Sequence, residues 1–252
     1  MKYPTSNSTH RELWFFALLI ALANLPLLAG RVSETLLFVP SLVAEGAWWR
    51  VLTSSFAHVS AYHLTLDAGA FLLLYHGLRE PSCAKRLLAV AACAAGSLLA
   101  SLSVLTPDGS LCGLSGVAHG LLAFSALEMR ESSDRTVARA GLICLLTVLA
   151  KSAYEAVTGH VAFATLHLGD VATPVAICHA GGVLGGLFAY ALSRLALFGG
   201  LPTGGDPRLT DGTLCDMGDS PRPFKGNLPV PQSGRGQLDT RTGICLSCNE
   251  VM

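Results

Sequence analysis

Apolar residues along this chain gather in blocks long enough to cross a lipid bilayer, and the polar residues that interrupt them are few. A spanning helix needs about 20 mostly apolar residues. Six segments approach that requirement: 12–30, 61–78, 87–106, 111–129, 138–157 and 173–196. The breaks carry turn or charge signals, at Arg79-Glu80-Pro81, at Pro107-Asp108-Gly109 and over Glu128 to Arg139. From Gly199 the pattern ends in a stretch rich in Gly, Pro, Ser, Asp and Thr, which has too little apolar content for a core and is expected to be disordered. The expected class is an all-α polytopic membrane protein. Its parts are a cytoplasmic N-terminus (1–11), a six-helix membrane domain (12–198) and a polar tail (199–252). No internal repeat is evident.

Composition supports this class. Of 252 residues, 51% are hydrophobic and only 13% charged, about half the charged share of a soluble domain. Mean hydropathy is +0.51. Lys plus Arg and Asp plus Glu both number 17, and zero net charge argues against a nucleic-acid partner, which requires a basic face. Cys83, Cys93, Cys112, Cys144 and Cys178 fall in or near apolar segments, where a thiol acts as a small packing residue. Cys245 and Cys248 form a lone C-x-x-C in the tail, with no second ligand pair nearby. Leu13 to Leu28 follows Lys2 and Arg11 as a signal peptide would, but no A-x-A-like cleavage site follows directly, and it reads as a retained first helix.

Cations set the orientation. With the N-terminus in the cytoplasm, the inner side holds Lys2, Arg11, Arg79, Lys85, Arg86, Arg130, Arg135, Arg139 and Arg194. The outer side holds Arg31 and Arg50, with Lys151 near the outer end of the fifth segment. Both termini are then expected inside. Ser115 and His179 both fall near the outer ends of segments that run inward, so they can meet at similar depth.

Polar groups inside lipid are expensive, which singles out three clusters. The fourth segment contains Gly113-Leu114-Ser115-Gly116 and then His119-Gly120. Ser115 and His119 share a helix face, and Gly116 with Gly120 permits close helix approach. Taken alone, Ser115 reads as part of a packing seam. The sixth segment contains His179, Gly182 and Gly186: one base above a thin helix face. Taken alone, His179 equally fits a structural or haem-binding histidine. The second segment carries His58, His63 and Asp67, with His63 and Asp67 four apart. Unpaired, that Asp would cost about 2.5–3.5 kcal/mol on insertion scales, so it is expected to face the bundle interior; a polar pair that only locks helices is the alternative. Lys151 and Glu155, also four apart, read as a structural pair. The connector 158–172, with His160, Phe163 and His167, reads equally as a lid or a plain linker.

Together these clusters resemble the rhomboid intramembrane serine proteases over residues 12–196. The G-x-S-G at Gly113 to Gly116, the H-x-x-G-x-x-x-G at His179 to Gly186, Trp49-Arg50 in the first outer loop, and the spacing of His58, His63 and position 67 carry the resemblance. It implies a rhomboid-like six-helix bundle, with Ser115 as nucleophile and His179 as general base. The Ser115 backbone N–H and His63 would form the oxyanion hole, His58 would support it, and no cofactor or metal is implied. Two positions depart from the usual pattern. Asp67 replaces an Asn that donates to the oxyanion, a role that needs a protonated Asp67; His119 replaces the Tyr that stacks on the catalytic histidine. These departures resemble the rhombosortase branch. That branch implies single-span membrane substrates with a C-terminal Gly-Gly, a hydrophobic helix and a basic end, cleaved at a bacterial inner membrane. With no acidic third member apparent, the expected machinery is a Ser-His dyad. Other rhomboid substrates, a catalytically inactive rhomboid-like binding protein, a haem or quinone protein and a transporter are the rival readings.

Overall fold

A computed structural model of the chain describes residues 7–162, 169 and 175–195. The tail, Cys245 and Cys248, and most of the connector considered as a lid lie outside these residues. The described chain is helical, without a strand beyond the isolated bridge Phe38–Leu111. The helices are α1 (Asn7–Ala23), the short α2 (Pro40–Ala44) and α3 (Trp49–Thr53), then α4 (Ala61–Gly77), α5 (Cys83–Ser101), α6 (Ser115–Arg130), α7 (Arg135–Thr158) and α8 (Ile177–Arg194).

Six long helices occupy the six apolar segments, but not as six full-length spans. Among the described residues only α5 and α7 are both long and apolar enough to cross a membrane by themselves. Helices α1 and α4 have 17 residues and α6 has 16. At about 1.5 Å rise per residue each covers roughly 24–26 Å, short of the ~30 Å hydrocarbon layer. The start of α6 shows the cause. The sequence pattern suggested a helix from 111, yet Gly113 turns left-handed (φ 100°) and the helix begins at Ser115.

The outside of the bundle is apolar, unlike that of a water-soluble one. Trp14, Leu18, Leu73, Leu99, Ile143, Leu146, Leu184 and Phe188 are all more than half exposed. Continuous apolar exposure of this extent marks contact with lipid, since the helices satisfy their own backbone hydrogen bonds. Inside, Phe16, Phe71, Tyr75, Leu121 and Phe124 pack together, and Ala123, Ala126, Leu145, Val148 and Val183 form a second cluster.

Ionic clusters tie the helix ends at one rim. The Arg86 guanidinium donates to Glu12 Oε1 (2.6 Å) and Oε2 (2.9 Å), and Tyr75 donates to the same carboxylate. Glu131 accepts from Tyr190 and Arg194. At the opposite rim the loop between α1 and α4 folds on itself. Asn24 donates to the Phe56 carbonyl (2.7 Å) and accepts from the His58 N–H (2.9 Å). Buried Arg50 donates through Nη1 to the carbonyls of Glu34 (2.8 Å) and Leu37 (2.6 Å). Replacing Arg50 with alanine strands two loop carbonyls and should cost about 2–4 kcal/mol. The expected readout is a lower unfolding temperature in detergent and faster proteolysis between residues 30 and 60.

Candidate active site

Three glycine contacts bring α6 and α8 together. A Cβ on Gly182 would overlap the Gly116 carbonyl, one on Gly186 the Gly120 carbonyl, and one on Gly120 both the Gly182 carbonyl and Cys93. Only backbones without side chains pack this closely, the small-residue mode of membrane helices. Ser115 precedes Gly116 and His179 lies three before Gly182, so the glycine seam sets both at one level. Ser115 Oγ lies 3.9 Å from Cys178 Sγ. Ser115, Cys178 and His179 line one cavity of about 500 Å³ together with His63, Asp67 and Cys112.

His179 is gripped on two sides. The His119 ring stacks on it with centroids 4.1 Å apart and planes 18° from parallel. His119 Nδ1 in turn lies 2.7 Å from the Ser115 carbonyl oxygen, which ties that ring to the turn bearing the serine. From α7, Glu155 Oε2 lies 2.7 Å from His179 Nδ1. Glu155 is fully buried, and its other oxygen accepts from Lys151 Nζ (2.5 Å) and the Ala162 N–H (2.9 Å).

This overturns one expectation. The sequence offered no acidic partner for His179, and Glu155 read as a structural mate of Lys151. In the fold it is both. The C-terminal part of α7 stands beside the N-terminal part of α8, so one carboxylate reaches the lysine one turn back and the histidine on the next helix. The signal that could have found it was present: an ionisable residue inside an apolar segment is a site candidate by default.

His63 and Asp67 sit on the other side of the serine turn. A Cβ at Gly113 would come within 2.7 Å of Asp67 Oδ2 and 2.8 Å of His63 Nε2. Glycine is therefore required there for space as well as for its φ. Asp67 Oδ2 approaches His63 Nε2 (3.2 Å) and His58 Nε2 (3.6 Å), without the alignment of a hydrogen bond. His58 is fully buried and does not line the cavity; its Nδ1 lies 3.1 Å from the Phe56 carbonyl oxygen. Among the described residues, neither His63 Nδ1 nor Asp67 Oδ2, both buried, has a hydrogen-bond partner.

His119, Glu155 and His179 also bring one donor atom each within 4.8 Å of the others. Two histidines and a carboxylate are a donor set zinc can use. Here, however, the Lys151 ammonium already occupies Glu155 Oε1, and a cation beside it would be repelled. The arrangement is a hydrogen-bonded chain running from Lys151 through the Glu155 carboxylate to His179 Nδ1.

The Rhomboid domain family model matches residues 45–196, well over half of the chain. The chain belongs to the rhomboid family. The matched region runs from just before α3 through α8 and contains Ser115, His179 and the cavity between them. Rhomboid proteases are intramembrane serine hydrolases that act on membrane proteins within the bilayer, and membership makes this rhomboid an integral membrane protein. Searches of curated proteins and of solved structures return no match.

Proposed function

We propose that this rhomboid is an active intramembrane serine endopeptidase, with Ser115 as nucleophile and His179 as general base. The observation that carries the reading is one cavity lined by both residues, with His179 held at Nδ1 and stacked by His119. The scissile carbonyl of a substrate helix enters this cavity. His179 Nε2 takes the Ser115 proton as Oγ attacks, then returns it to the leaving amine. The backbone N–H of Ser115, with His63 and a protonated Asp67 beside it, faces the developing oxyanion. Water reaches the acyl-enzyme from the outer rim for deacylation. The six long helices then form the membrane domain, with both termini in the cytoplasm of a bacterial inner membrane.

For substrate we propose the rhombosortase type: single-span membrane proteins with a C-terminal Gly-Gly, a hydrophobic helix and a basic end. Asp67 and His119, the two departures from the common rhomboid pattern, support this. Co-expression with a reporter carrying that C-terminus tests the substrate. Processing near the Gly-Gly that depends on Ser115 supports the assignment. Processing of an ordinary rhomboid substrate helix alone would make this a general rhomboid protease, and cleavage of neither would make it a binding protein.

Asp67 allows a sharper test. Asp67→Asn should keep measurable cleavage, because an amide N–H can donate to the oxyanion. Asp67→Ala should lose about 10²–10³ in rate, the usual cost of removing one such donor. Total loss in Asp67→Asn would instead assign the carboxylate itself to the substrate backbone. Initial rates on the reporter decide between them.

A further inference from the structure

We infer that Glu155 is a positioning residue for His179, so that the machinery operates as a Ser115-His179-Glu155 relay in place of a dyad. The inference rests on the proposed protease activity and deepens it.

Geometry is the first support. Glu155 Oε2 and His179 Nδ1 are 2.7 Å apart, the length of a charge-assisted hydrogen bond. A carboxylate only accepts, so the ring must carry its hydrogen on Nδ1. Nε2 is then the lone-pair nitrogen, as a base toward Ser115 requires. The partner bond thus selects the working tautomer.

Burial is the second. Glu155 is fully buried and His179 nearly so. Enclosing a carboxylate in a bundle is costly, and an apolar pair of similar volume would hold α7 to α8 at least as well. Stability therefore does not account for the group. A proton-transfer role does: when His179 takes the serine proton, the imidazolium forms against a negative charge already in place.

The third support is the way Glu155 is itself fixed. Lys151 Nζ (2.5 Å) and the Ala162 N–H (2.9 Å) both bond Oε1. Both oxygens are thereby engaged, and the carboxylate cannot rotate away from the ring. Lys151 holds the carboxylate from one helical turn back, and the Ala162 bond ties it to the chain just beyond α7. Partners that orient a histidine in this way are typical of triads on unrelated folds.

The test uses the full-length protein in detergent micelles. Cleavage of the membrane reporter is followed for wild type, Ser115→Ala, His179→Ala, Glu155→Gln and Glu155→Asp, with thermal unfolding measured for each. Glutamine preserves size but can donate to Nδ1 and select the wrong tautomer. The expected result is a fall in kcat of about 10²–10⁴ for Glu155→Gln, with KM within about threefold and unfolding temperature within a few degrees of wild type. Glu155→Asp should recover at least tenfold over Glu155→Gln, because it restores an acceptor. A wild-type kcat in Glu155→Gln, alongside inactive Ser115→Ala and His179→Ala, would overturn the relay while leaving the protease reading intact. Cleavage that persists in His179→Ala would instead overturn the base assignment on which the relay depends.

A second measurement needs no turnover and no variant at Glu155. Nitrogen-15 histidine NMR of the folded wild type, with the His179 signals assigned by their loss in His179→Ala, reports which ring nitrogen holds the hydrogen. A neutral ring protonated at Nδ1 supports the relay. One protonated at Nε2 overturns it, even if Glu155→Gln proves too unstable to assay.

Discussion

Alanine at Ser115 or at His179 should abolish processing of a membrane reporter while the protein still inserts and folds. Ser115 contributes one hydroxyl at the first residue of α6, and that oxygen lies 3.9 Å from Cys178 Sγ. Removing it leaves helix packing untouched, so a loss of function cannot be assigned to collapse. His179 is more embedded, between the His119 ring and Glu155, and its alanine variant leaves a buried carboxylate facing a void. Some destabilisation should accompany that change, which makes Ser115→Ala the cleaner experiment. Members of a nucleophile–base unit act together, so each single loss should cost about 10⁴–10⁶ in rate. At about 1.36 kcal/mol per decade this is roughly 5–8 kcal/mol of transition-state stabilisation. Initial cleavage rates at equal membrane expression provide the check. Undiminished cleavage in either variant would remove that residue from the mechanism.

Gly182→Ala should also be damaging, though it changes no chemical group. The added methyl would overlap the Gly116 carbonyl of the facing helix, which is backbone and cannot rotate aside. Overpacking in a filled core costs about 1–3 kcal/mol, and relief here requires α6 and α8 to separate. Ser115 and His179 ride on those two helices just beyond the contact. A displacement near 1 Å at reacting groups can cost about 10² in rate. The expected outcome is a lower unfolding temperature together with at least a hundredfold loss of cleavage. Gly69→Ala on α4 is the matched control. Nothing lies within 4 Å of the added methyl there, so rate and stability should stay near wild type. If Gly182→Ala cleaves normally, the close approach is not what holds the two residues in register.

Most of the helical architecture was legible because lipid imposes a simple rule on sequence. Each long apolar segment had to become a helix that satisfies its own backbone. Boundaries were less legible. Position 111 continues an apolar run, yet α6 starts at Ser115 because Gly113 adopts a left-handed turn with Asp67 and His63 packed against its Cα. Ser115 and His179 stood out because polar groups rarely lie beside closely spaced glycines in apolar segments. Glu155 stood out far less. Its short-range partner Lys151 offered a sufficient local explanation, and nothing local linked it to a histidine 24 residues further on.

The sequence by itself determined the helical class, the membrane environment and the residue types available for chemistry. These follow from one-dimensional properties: the length of apolar runs, the scarcity of charge and the period of glycines along a helix. Only the tertiary structure decided which of those residues share a cavity and which carboxylate holds the histidine. It also decided that Asp67 lies between two imidazoles against the serine turn. The difference is physical. Burial in lipid acts on each helix separately and leaves its mark in local composition. The meeting of α7 with α8, and of α6 with α8, depends on how backbones pack across the bundle, and no single segment encodes that.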